Sequence, residues 1–412
     1  MKFLYRIAVF VASFLLPFFA FFSKKLKLFV DGRKETFSKL ESLSSSDKTI
    51  WIHAASLGEF EQARPIIDQL KRDYNQYKIV VTFFSPSGYE IRKNYKLTDV
   101  TCYLPLDSRK NAKKFVEKVN PTLAIFVKYE FWPNILDELK RKKINTILVS
   151  GILREKQIFF KFYGGFMRKA LTAFHHFFVQ DENSKQLLES INFKNTTVSG
   201  DTRFDRVSKI LEQDNQLDFI DEFKNNQYTL VAGSTWKQDE EILVNYINTS
   251  TSTNEKFIIA PHNIKADAIL ELQNSINKKV VLFSAKADKN LAEYQVLIID
   301  TIGILTKIYS VADVAYVGGG LKTGLHNILE PATFGIPIVI GTQFEKFKEA
   351  KDLVALRGCF SIENQQQFSG ILDKLKDDDD FRKSAGKINH NYIQQNVGAT
   401  DLIMNYVNNK LN

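Results

Sequence analysis

The sequence predicts an α/β protein with two doubly wound domains, each built on a parallel sheet, behind an apolar N-terminal helix. Three observations predict this class. Short apolar runs alternate with segments of helical character, the alternation stops in a polar stretch at residues 200–227 and then resumes, and residues 7–22 carry no charge. Strands that alternate with helices form parallel sheets that are covered on both faces.

The predicted strands form two series on either side of the polar stretch. In the first half they are Thr49–Ala54, Ile79–Phe84, Thr101–Leu104, Leu123–Val127, Thr146–Ser150, Phe177–Val179 and Thr196–Val198. In the second half they are Tyr228–Ala232, Phe257–Ala260, Val280–Phe283, Val296–Ile299, Val314–Val317 and Pro337–Ile340. Between the strands of the first half, the clearest helical segments are Glu59–Arg72, Arg109–Val119 and Trp132–Lys142.

These patterns set the predicted domain boundaries. We expect a membrane-anchor segment over residues 1–27, a first Rossmann-like domain over 28–205, a linker region over 206–227 and a second Rossmann-like domain over 228–412. The linker assignment rests on polar composition and a lack of strand-forming residues. Ligands of doubly wound folds bind at the carboxyl ends of the strands, so the candidate site residues are sought there.

The N-terminal segment is rich in Phe and Leu and is followed by Lys24, Lys25 and Lys27. Its uncharged part is slightly shorter than the roughly 20 residues that span a bilayer, and Pro17 interrupts it. A signal anchor or a helix lying in the membrane interface fits better than a cleaved signal peptide or a helix packed on the domain. The lysines predict that the bulk of the chain is cytoplasmic and close to anionic lipid.

Charge is unevenly distributed along the chain. Residues 1–206 carry 35 Lys and Arg against 21 Asp and Glu, a balance of +14, whereas the remainder carries 21 against 26. A basic first half indicates an anionic partner there, such as a membrane surface, a phosphorylated lipid or a nucleic acid. No nucleic-acid-binding motif accompanies it, so nucleic acid is the weakest of the three. Cys102 and Cys359 have no metal-ligand spacing and are interpreted as reduced core residues.

The first chemically informative stretch in the first half is Ser56-Leu57-Gly58-Glu59, at the end of a strand and the start of a helix. The carboxylate of Glu59 could take a proton from a sugar hydroxyl as a general base. The alternative is a glutamate that only serves the helix dipole, and spacing alone favours this alternative. Further polar residues at strand ends of this half are Ser85, Lys128, Glu130 and Arg203.

The second half has its own set of strand ends. Ser234 and Thr235 follow a strand and suit a phosphate site, and His262 follows Pro261. The longest motif is Tyr316–Gly341, in which three glycines, including Gly319, precede His326 and a segment of helical character. This motif is equally typical of a phosphate site and of an ordinary βαβ unit. No spacing typical of a metal site, a Ser-His-Asp triad or a GxxxxGK[ST] loop is present.

The order of these motifs resembles that of the Kdo transferases, the 3-deoxy-D-manno-octulosonic acid transferases of lipopolysaccharide assembly. The resemblance covers nearly the whole chain, including the N-terminal anchor. It is carried by WIHAASLGEFEQARPII, TFFSPSGYE, YLPLD, FWPNIL, VSGILRE, GDTRFDRV, VAGSTW, IIAPH and YVGGG…GLHNILEPATFGIPIVIG. It implies the GT-B fold, in which two Rossmann-like domains face a central cleft.

The resemblance also implies roles for particular residues. Glu59 becomes the general base. Contacts to CMP are assigned to Pro261, His262, Ile302, Gly303, Ile304, Asn327, Ile328, Leu329 and Glu330. Further site residues are Ser56, Gly58, Ser85, Lys128, Glu130, Arg203, Ser234, Thr235, Gly319 and His326. The chain departs from the family pattern at Ile304, where an acidic residue is expected, and at Lys128-Tyr129, which replaces an acidic-hydroxyl pair.

The implied function is an inverting, metal-independent transfer of Kdo from CMP-Kdo to a lipid A precursor at the cytoplasmic face of the inner membrane. The first domain would hold the acceptor and the second would hold CMP-Kdo, with no cofactor and no obligate protein partner. Three alternatives stay open. They are a GT-B lipid glycosyltransferase with a uridine donor, a nucleotide-sugar epimerase and a non-catalytic membrane-bound binding protein.

Overall fold

The computed structural model describes residues 2–411 and contains two seven-stranded sheets in which every pairing is parallel. The fourteen strands are β1 Thr49–His53, β2 Lys78–Phe83, β3 Val100–Tyr103, β4 Pro121–Val127, β5 Asn145–Gly151, β6 His176–Val179, β7 Thr196–Val198, β8 Tyr228–Thr235, β9 Glu255–Pro261, β10 Val280–Leu282, β11 Val296–Ile298, β12 Val314–Val317, β13 Ile338–Gly341 and β14 Cys359–Ile362. The predicted fold class, two Rossmann-like units in sequence, is confirmed.

The helices lie between and around these strands. They are α1 Lys2–Phe19, α2 Lys24–Lys34, α3 Thr36–Lys39, α4 Leu57–Asp73, α5 Pro86–Arg92, α6 Arg109–Val119, α7 Pro133–Arg141, α8 Gly165–Leu171, α9 Glu182–Glu189, α10 Thr202–Ser208, α11 Asp218–Lys224, α12 Lys237–Thr249, α13 Ala266–Ser275, α14 Leu305–Ile308, α15 Leu329–Thr333, α16 Lys348–Leu356, α17 Gln365–Asp377, α18 Asp379–Asn396 and α19 Ala399–Leu411. The three helices predicted in the first half correspond to α4, α6 and α7, within two residues at each end.

The first unit comprises the residues up to Arg206 together with those from Asn396 on. Its sheet has the order β3-β2-β1-β4-β5-β6-β7. Successive side chains of β1 point to opposite faces, so Trp51 joins one apolar core while Ile50 and Ile52 join the other. Burial on both faces explains why these strands are almost continuously apolar in the sequence.

The C-terminal helix belongs to the first unit, which differs from the predicted second domain of 228–412. Ile403, Met404 and Val407 of α19 are buried in the same core as Ile50. The helical spacing of these three residues gives α19 one apolar face, and that face is used by the first sheet.

The second unit comprises Val207–Gln395, with the sheet order β10-β11-β9-β8-β12-β13-β14. It begins inside the segment predicted as a linker. That segment contains α11, whose Ile220 and Phe223 are fully buried, one helical turn apart, beneath an otherwise polar surface. The strand β14 was not predicted, because four residues that include Cys359 and Ser361 give too short an apolar run.

The N-terminal helix predicted as an anchor is present as α1. By length and composition it is, among the described helices, the one that qualifies as a candidate to cross a membrane. None of its residues is fully buried.

Candidate functional site

Each sheet reverses its strand order at one point, and several of the predicted site residues lie there. In the first sheet the reversal lies between β1 and β4, which pair directly. In the second it lies between β8 and β12, which also pair directly. Connections leave such a pair in opposite directions, so the carboxyl ends of the two strands border an opening that suits a ligand. The two units therefore have equivalent candidate sites.

Glu59 lies in the first turn of α4, just beyond the carboxyl end of β1. It is only 7% exposed. The hydroxyl of Ser56, the residue that precedes α4, donates a hydrogen bond to its carboxylate. The Lys128 ammonium, beyond the end of β4, lies 3.8 Å from the other carboxylate oxygen. The Glu59 carboxylate is thus held by a hydroxyl and a cation at the strand reversal.

Lys128 reaches this position through an unusual backbone conformation. Its φ is +67°, in the left-handed region, while its amide continues the ladder by donating to the Val149 carbonyl. A non-glycine residue in this conformation is uncommon and turns the chain sharply. The chain then continues into Glu130, so β4 delivers both charged residues to the edge of the sheet.

Glu130 belongs to a network that sequence reasoning did not find. The Trp132 indole N–H donates to Glu130 at 3.2 Å and to Nε2 of the fully buried His53 at 3.1 Å. Because Nε2 accepts that bond, Nδ1 is the ring nitrogen that carries a proton, and it lies 2.9 Å from the Thr82 hydroxyl. The signal was an aromatic residue two positions after Glu130. From spacing alone, Trp132 is interpreted as a core-packing residue.

Ser85 and Gly58 are close to the first strand reversal, whereas Arg203 is bound to a different residue. The Ser85 amide donates to the Ala55 carbonyl at 2.7 Å, so the turn after β2 lies against the turn after β1. Gly58 is exposed on the first turn of α4. Arg203 pairs with the buried Asp201 at 2.8 Å. Burial acts to raise the pKa of Asp201, but the Arg203 cation and hydrogen bonds lower it below its ordinary value.

In the second unit, three aromatic rings form a stack at the strand reversal. The ring of His262, after β9, lies 4.5 Å from that of Trp236, after β8, and 4.7 Å from that of His326, after β12. The indole N–H of Trp236 donates to Nε2 of His326 at 3.0 Å. Burial lowers the pKa of both histidines, and the proximity of His262 lowers that of His326 further. The stack is therefore neutral near pH 7 and presents flat aromatic surface.

The buried Asp239 holds the glycine loop in place. Its carboxylate accepts hydrogen bonds from the Tyr316 hydroxyl at 2.6 Å, the Gly319 amide at 2.8 Å and the Trp236 amide at 2.9 Å. Sequence reasoning missed it, although an acidic residue three positions after Trp236 is typical of a helix cap.

The three glycines meet protein atoms rather than open space. A Cβ on Gly318 would collide with the Ser234 carbonyl, one on Gly319 with the Gly324 carbonyl, and one on Gly320 would lie 2.8 Å from the Gly341 nitrogen. The Gly319 amide is bound to Asp239. Close backbone packing within the unit therefore accounts for these three glycines.

Glu330 brings together two segments that the sequence assigned to CMP. Its carboxylate accepts hydrogen bonds from the Thr306 hydroxyl at 2.7 Å and the Asn327 amide at 3.0 Å. Thr306 follows the segment from Ile302 to Ile304, in which Gly303 has a φ of +101°. Ile302 is 82% exposed, an unusual position for a large apolar side chain.

The remaining predicted residues of the second unit divide by exposure. Ile328 and Leu329 are buried, so their side chains pack inside the unit and only their backbone is available to a nucleotide. Thr235 is also buried, and its hydroxyl donates to Glu240 at 3.0 Å. Ser234 has a left-handed φ of +55°, and Pro261 ends β9 directly before the exposed His262.

A cavity of about 460 Å³ opens beside Trp236, between α12 and α13. Its lining includes Glu240, Glu241 and Glu271, with Lys237 at the rim. Burial raises the pKa of Glu240. Three carboxyl groups make this cavity unsuitable for a phosphate. Within residues 2–411, no group of three His, Cys, Asp or Glu residues is placed to share a metal ion.

Comparison with known proteins agrees with the fold and the motifs. The sequence model of the family described as "3-Deoxy-D-manno-octulosonic-acid transferase (kdotransferase)" matches residues 31–206. A 3-deoxy-D-manno-octulosonic acid transferase of Rickettsia bellii is 28% identical, with 85% of this chain and 84% of the relative covered. That of Aquifex aeolicus is 29% identical, with 81% and 88% covered. A UDP-GlcNAc 2-epimerase of Neisseria meningitidis shares the fold, with a TM-score of 0.61 at 13% identity, covering 87% of this chain and 99% of its own.

Two Rossmann-like units with equivalent sites at their strand reversals define the GT-B architecture, and the sequence relatives make this protein a glycosyltransferase. The Kdo transferase family model matches much of the first half of the chain, and the sequence relatives that cover most of its length are Kdo transferases.

Proposed function

We propose that the protein transfers Kdo from CMP-Kdo to a lipid A precursor, with inversion at the anomeric carbon and with Glu59 as the general base. The observation that carries the proposal is the position of Glu59, a nearly buried carboxylate at the strand reversal beside the Ser56 hydroxyl and the Lys128 ammonium. A carboxylate is ionised at neutral pH and free to take a proton.

In the proposed reaction, an acceptor hydroxyl gives its proton to Glu59 while its oxygen bonds to the anomeric carbon of Kdo. The bond from that carbon to the CMP phosphate oxygen breaks, and CMP leaves with the electron pair. The two carboxyl groups of Glu59 and Glu130 differ in their partners. Glu130 accepts a hydrogen bond from the Trp132 indole, and we assign it a positioning role. Glu59 instead lies beside the Lys128 ammonium.

The second unit is the proposed donor site. The flat, neutral stack of Trp236, His262 and His326 suits a nucleobase, because aromatic rings stack on bases without needing charge. The exposed Asn327 and the half-buried Glu330 are joined by a hydrogen bond and suit ribose hydroxyls. The basic balance of the first half, +14 over residues 1–206, suits a phosphorylated lipid acceptor and the anionic cytoplasmic face of the inner membrane.

The test is incubation of the purified protein with CMP-Kdo and a lipid A precursor, followed by mass spectrometry of the lipid. A mass gain of one or more Kdo residues supports the proposal, and an unchanged lipid with intact CMP-Kdo refutes it. Thermal shift by CMP and by UMP adds a second readout. Stronger stabilisation by UMP would favour the uridine-donor alternative and would contradict the proposed donor.

A further inference from the structure

The surface of α1 divides into two apolar stripes. Tyr5, Val9, Ala12 and Leu16 are half-buried at helical spacing, and Ala20 just after the helix is buried. These residues face the protein along the whole helix. The opposite stripe, which we call the Phe stripe, is exposed and consists of Phe3, Ile7, Phe10, Phe14 and Phe18, with exposed fractions of 42–78%. A soluble helix would carry polar residues on that side.

The first turn of α1 is tied to the body of the first unit. The Lys2 ammonium lies 2.9 Å from the Asp137 carboxylate on α7. The Tyr5 hydroxyl donates to Asp107 at 2.7 Å, and the Tyr5 ring lies 5.7 Å from that of Phe166 on α8. Asp107 in turn accepts the Asn134 and Ile135 amides at the start of α7. The beginning of α1 is therefore fixed to the folded part of the chain.

The far end of α1 returns to the same unit almost at once. Four residues separate it from α2, which contacts α1. Near the end of α2, Arg33 donates to the Phe84 carbonyl at 2.8 Å, and the Phe29 ring lies 5.2 Å from that of Phe84. Both ends of the hairpin formed by α1 and α2 are thus fixed to one unit.

This arrangement is incompatible with a helix that crosses a bilayer. The first turn of α1 is fixed to the folded part of the first unit, so a spanning α1 would place its last residue on the opposite side of the membrane. The helix α2 would then have to return through the hydrocarbon to reach the same unit. The eleven residues of α2 extend only about 16 Å, about half the hydrocarbon thickness of roughly 30 Å. The charges of Lys24, Lys25 and Lys27 would also have to enter the lipid.

We propose that α1 lies in the membrane interface without crossing it, with both of its ends on the cytoplasmic side. The Phe stripe enters the lipid, and Lys24, Lys25 and Lys27 contact anionic head groups. Phe21 and Phe22, 87% and 77% exposed, extend the lipid-facing surface beyond α1, next to these lysines. This inference rests on the membrane association proposed above and adds its topology, which decides how the protein reaches a lipid acceptor.

The topology can be tested by labelling with a membrane-impermeant maleimide. Cys102 and Cys359 are buried, so the natural chain offers a low background. A single cysteine is placed in a short tag ahead of Met1 in one variant and at position 25 (Lys25→Cys) in the other. In inverted inner-membrane vesicles, whose cytoplasmic face is outward, both variants should label fully without detergent.

Labelling of the tag only after detergent, with Lys25→Cys labelled throughout, would mean that α1 spans the bilayer and would overturn the inference while membrane association stands. Recovery of the protein in the soluble fraction would overturn membrane association itself, and with it the topology. The two failures are distinguishable because the first is measured only on protein that sediments with the membranes.

A second test uses purified protein and phospholipid vesicles with and without anionic lipid. The double substitution Phe10→Ser and Phe14→Ser should weaken vesicle binding at least tenfold, whereas Leu270→Ser, an exposed residue on α13, should leave it unchanged. Replacing Lys24, Lys25 and Lys27 with Gln should remove most of the preference for anionic vesicles, at about fivefold per lysine. Equal binding by all variants would contradict a lipid-facing Phe stripe.

Discussion

The two strand reversals of this protein are equivalent in topology but opposite in chemistry. The first carries Glu59 and Lys128, charges held 3.8 Å apart at the edge of the sheet. The second carries a neutral stack of three rings and the buried Asp239, whose carboxylate accepts hydrogen bonds from Trp236, Tyr316 and Gly319 of the same unit. One edge is equipped to move a proton, the other to hold a flat ligand. In the proposed reaction, catalysis and donor binding are divided between these two copies of the same site.

The largest effect that tests this division is expected at Glu59. Glu59→Gln keeps the size of the side chain and its contact with Ser56 but removes the proton acceptor. We expect Kdo transfer to fall by about a hundredfold to ten-thousandfold, the usual contribution of a general base. Stabilisation by CMP should stay unchanged, since the proposed donor contacts lie in the second unit. Activity is measured by mass spectrometry of the lipid and CMP binding by thermal shift.

Glu117→Gln is the matched control, because Glu117 also pairs with a lysine at 3.8 Å but is an exposed glutamate on α6, away from the strand reversal. It should transfer Kdo normally. Near-normal transfer by Glu59→Gln would show that the first reversal does not hold the base.

Asp239 should produce the next largest effect, and this effect should be on stability. Asp239→Asn keeps the volume but loses the charge that accepts the Tyr316 hydroxyl and the Trp236 and Gly319 amides. Hydrogen bonds to a buried charge are the strong ones, so we expect a loss of about 2–4 kcal/mol in the free energy of unfolding. Chemical denaturation followed by Trp fluorescence measures it. Asp267→Asn, on the exposed face of α13, should cost almost nothing.

The fold was largely predictable because burial on both faces leaves a plain signal. Strands such as β11 and β12 are uninterrupted apolar runs in the sequence, and the sequence predicts thirteen of the fourteen strands. The position of polar residues at the ends of those runs predicts Glu59, Lys128 and His326 as site residues, and the structure places all three at the strand reversals. The strand β14 is not predicted, because a short edge strand gives a weak apolar signal. The unit to which α19 belongs is not predicted either, because the sequence of an amphipathic helix does not indicate which core it joins.

The internal partners of the site were not predictable in the same way. Nothing in the sequence indicates that Asp239 reaches Gly319, eighty positions away, or that Trp132 bonds to His53. Such pairs depend on how the strands are ordered in the sheet. The glycine loop shows the same limit, since its glycines signal close packing without saying whether a ligand or the Gly341 backbone is the neighbour.

Glu330 gives a smaller and more selective effect. Glu330→Ala removes the acceptor for Thr306 and Asn327, so the two segments proposed to hold the nucleotide lose their connection. We expect CMP affinity to fall about tenfold, the equivalent of one or two hydrogen bonds. The KM for the lipid acceptor should stay within twofold. A larger change in the acceptor KM than in CMP affinity would mean that the two units have the opposite roles.

The smallest expected effect is the pH dependence of stability that the ring stack of the second unit contributes. Burial lowers the pKa of His262 and His326 in the folded protein, so the unfolded chain takes up protons first as the pH falls. Stability contributed by the neutral stack is therefore complete above about pH 6.5, the ordinary pKa of histidine, and is lost progressively below it. His262→Phe keeps an aromatic ring beside Trp236 but removes one titrating group and the charge that opposes protonation of His326. Its melting temperature should fall less than that of the natural protein between pH 7 and pH 5. An identical decline in the melting temperature of the two proteins would show that protonation of the ring stack does not affect stability. The neutral surface proposed for the nucleobase would then need another explanation.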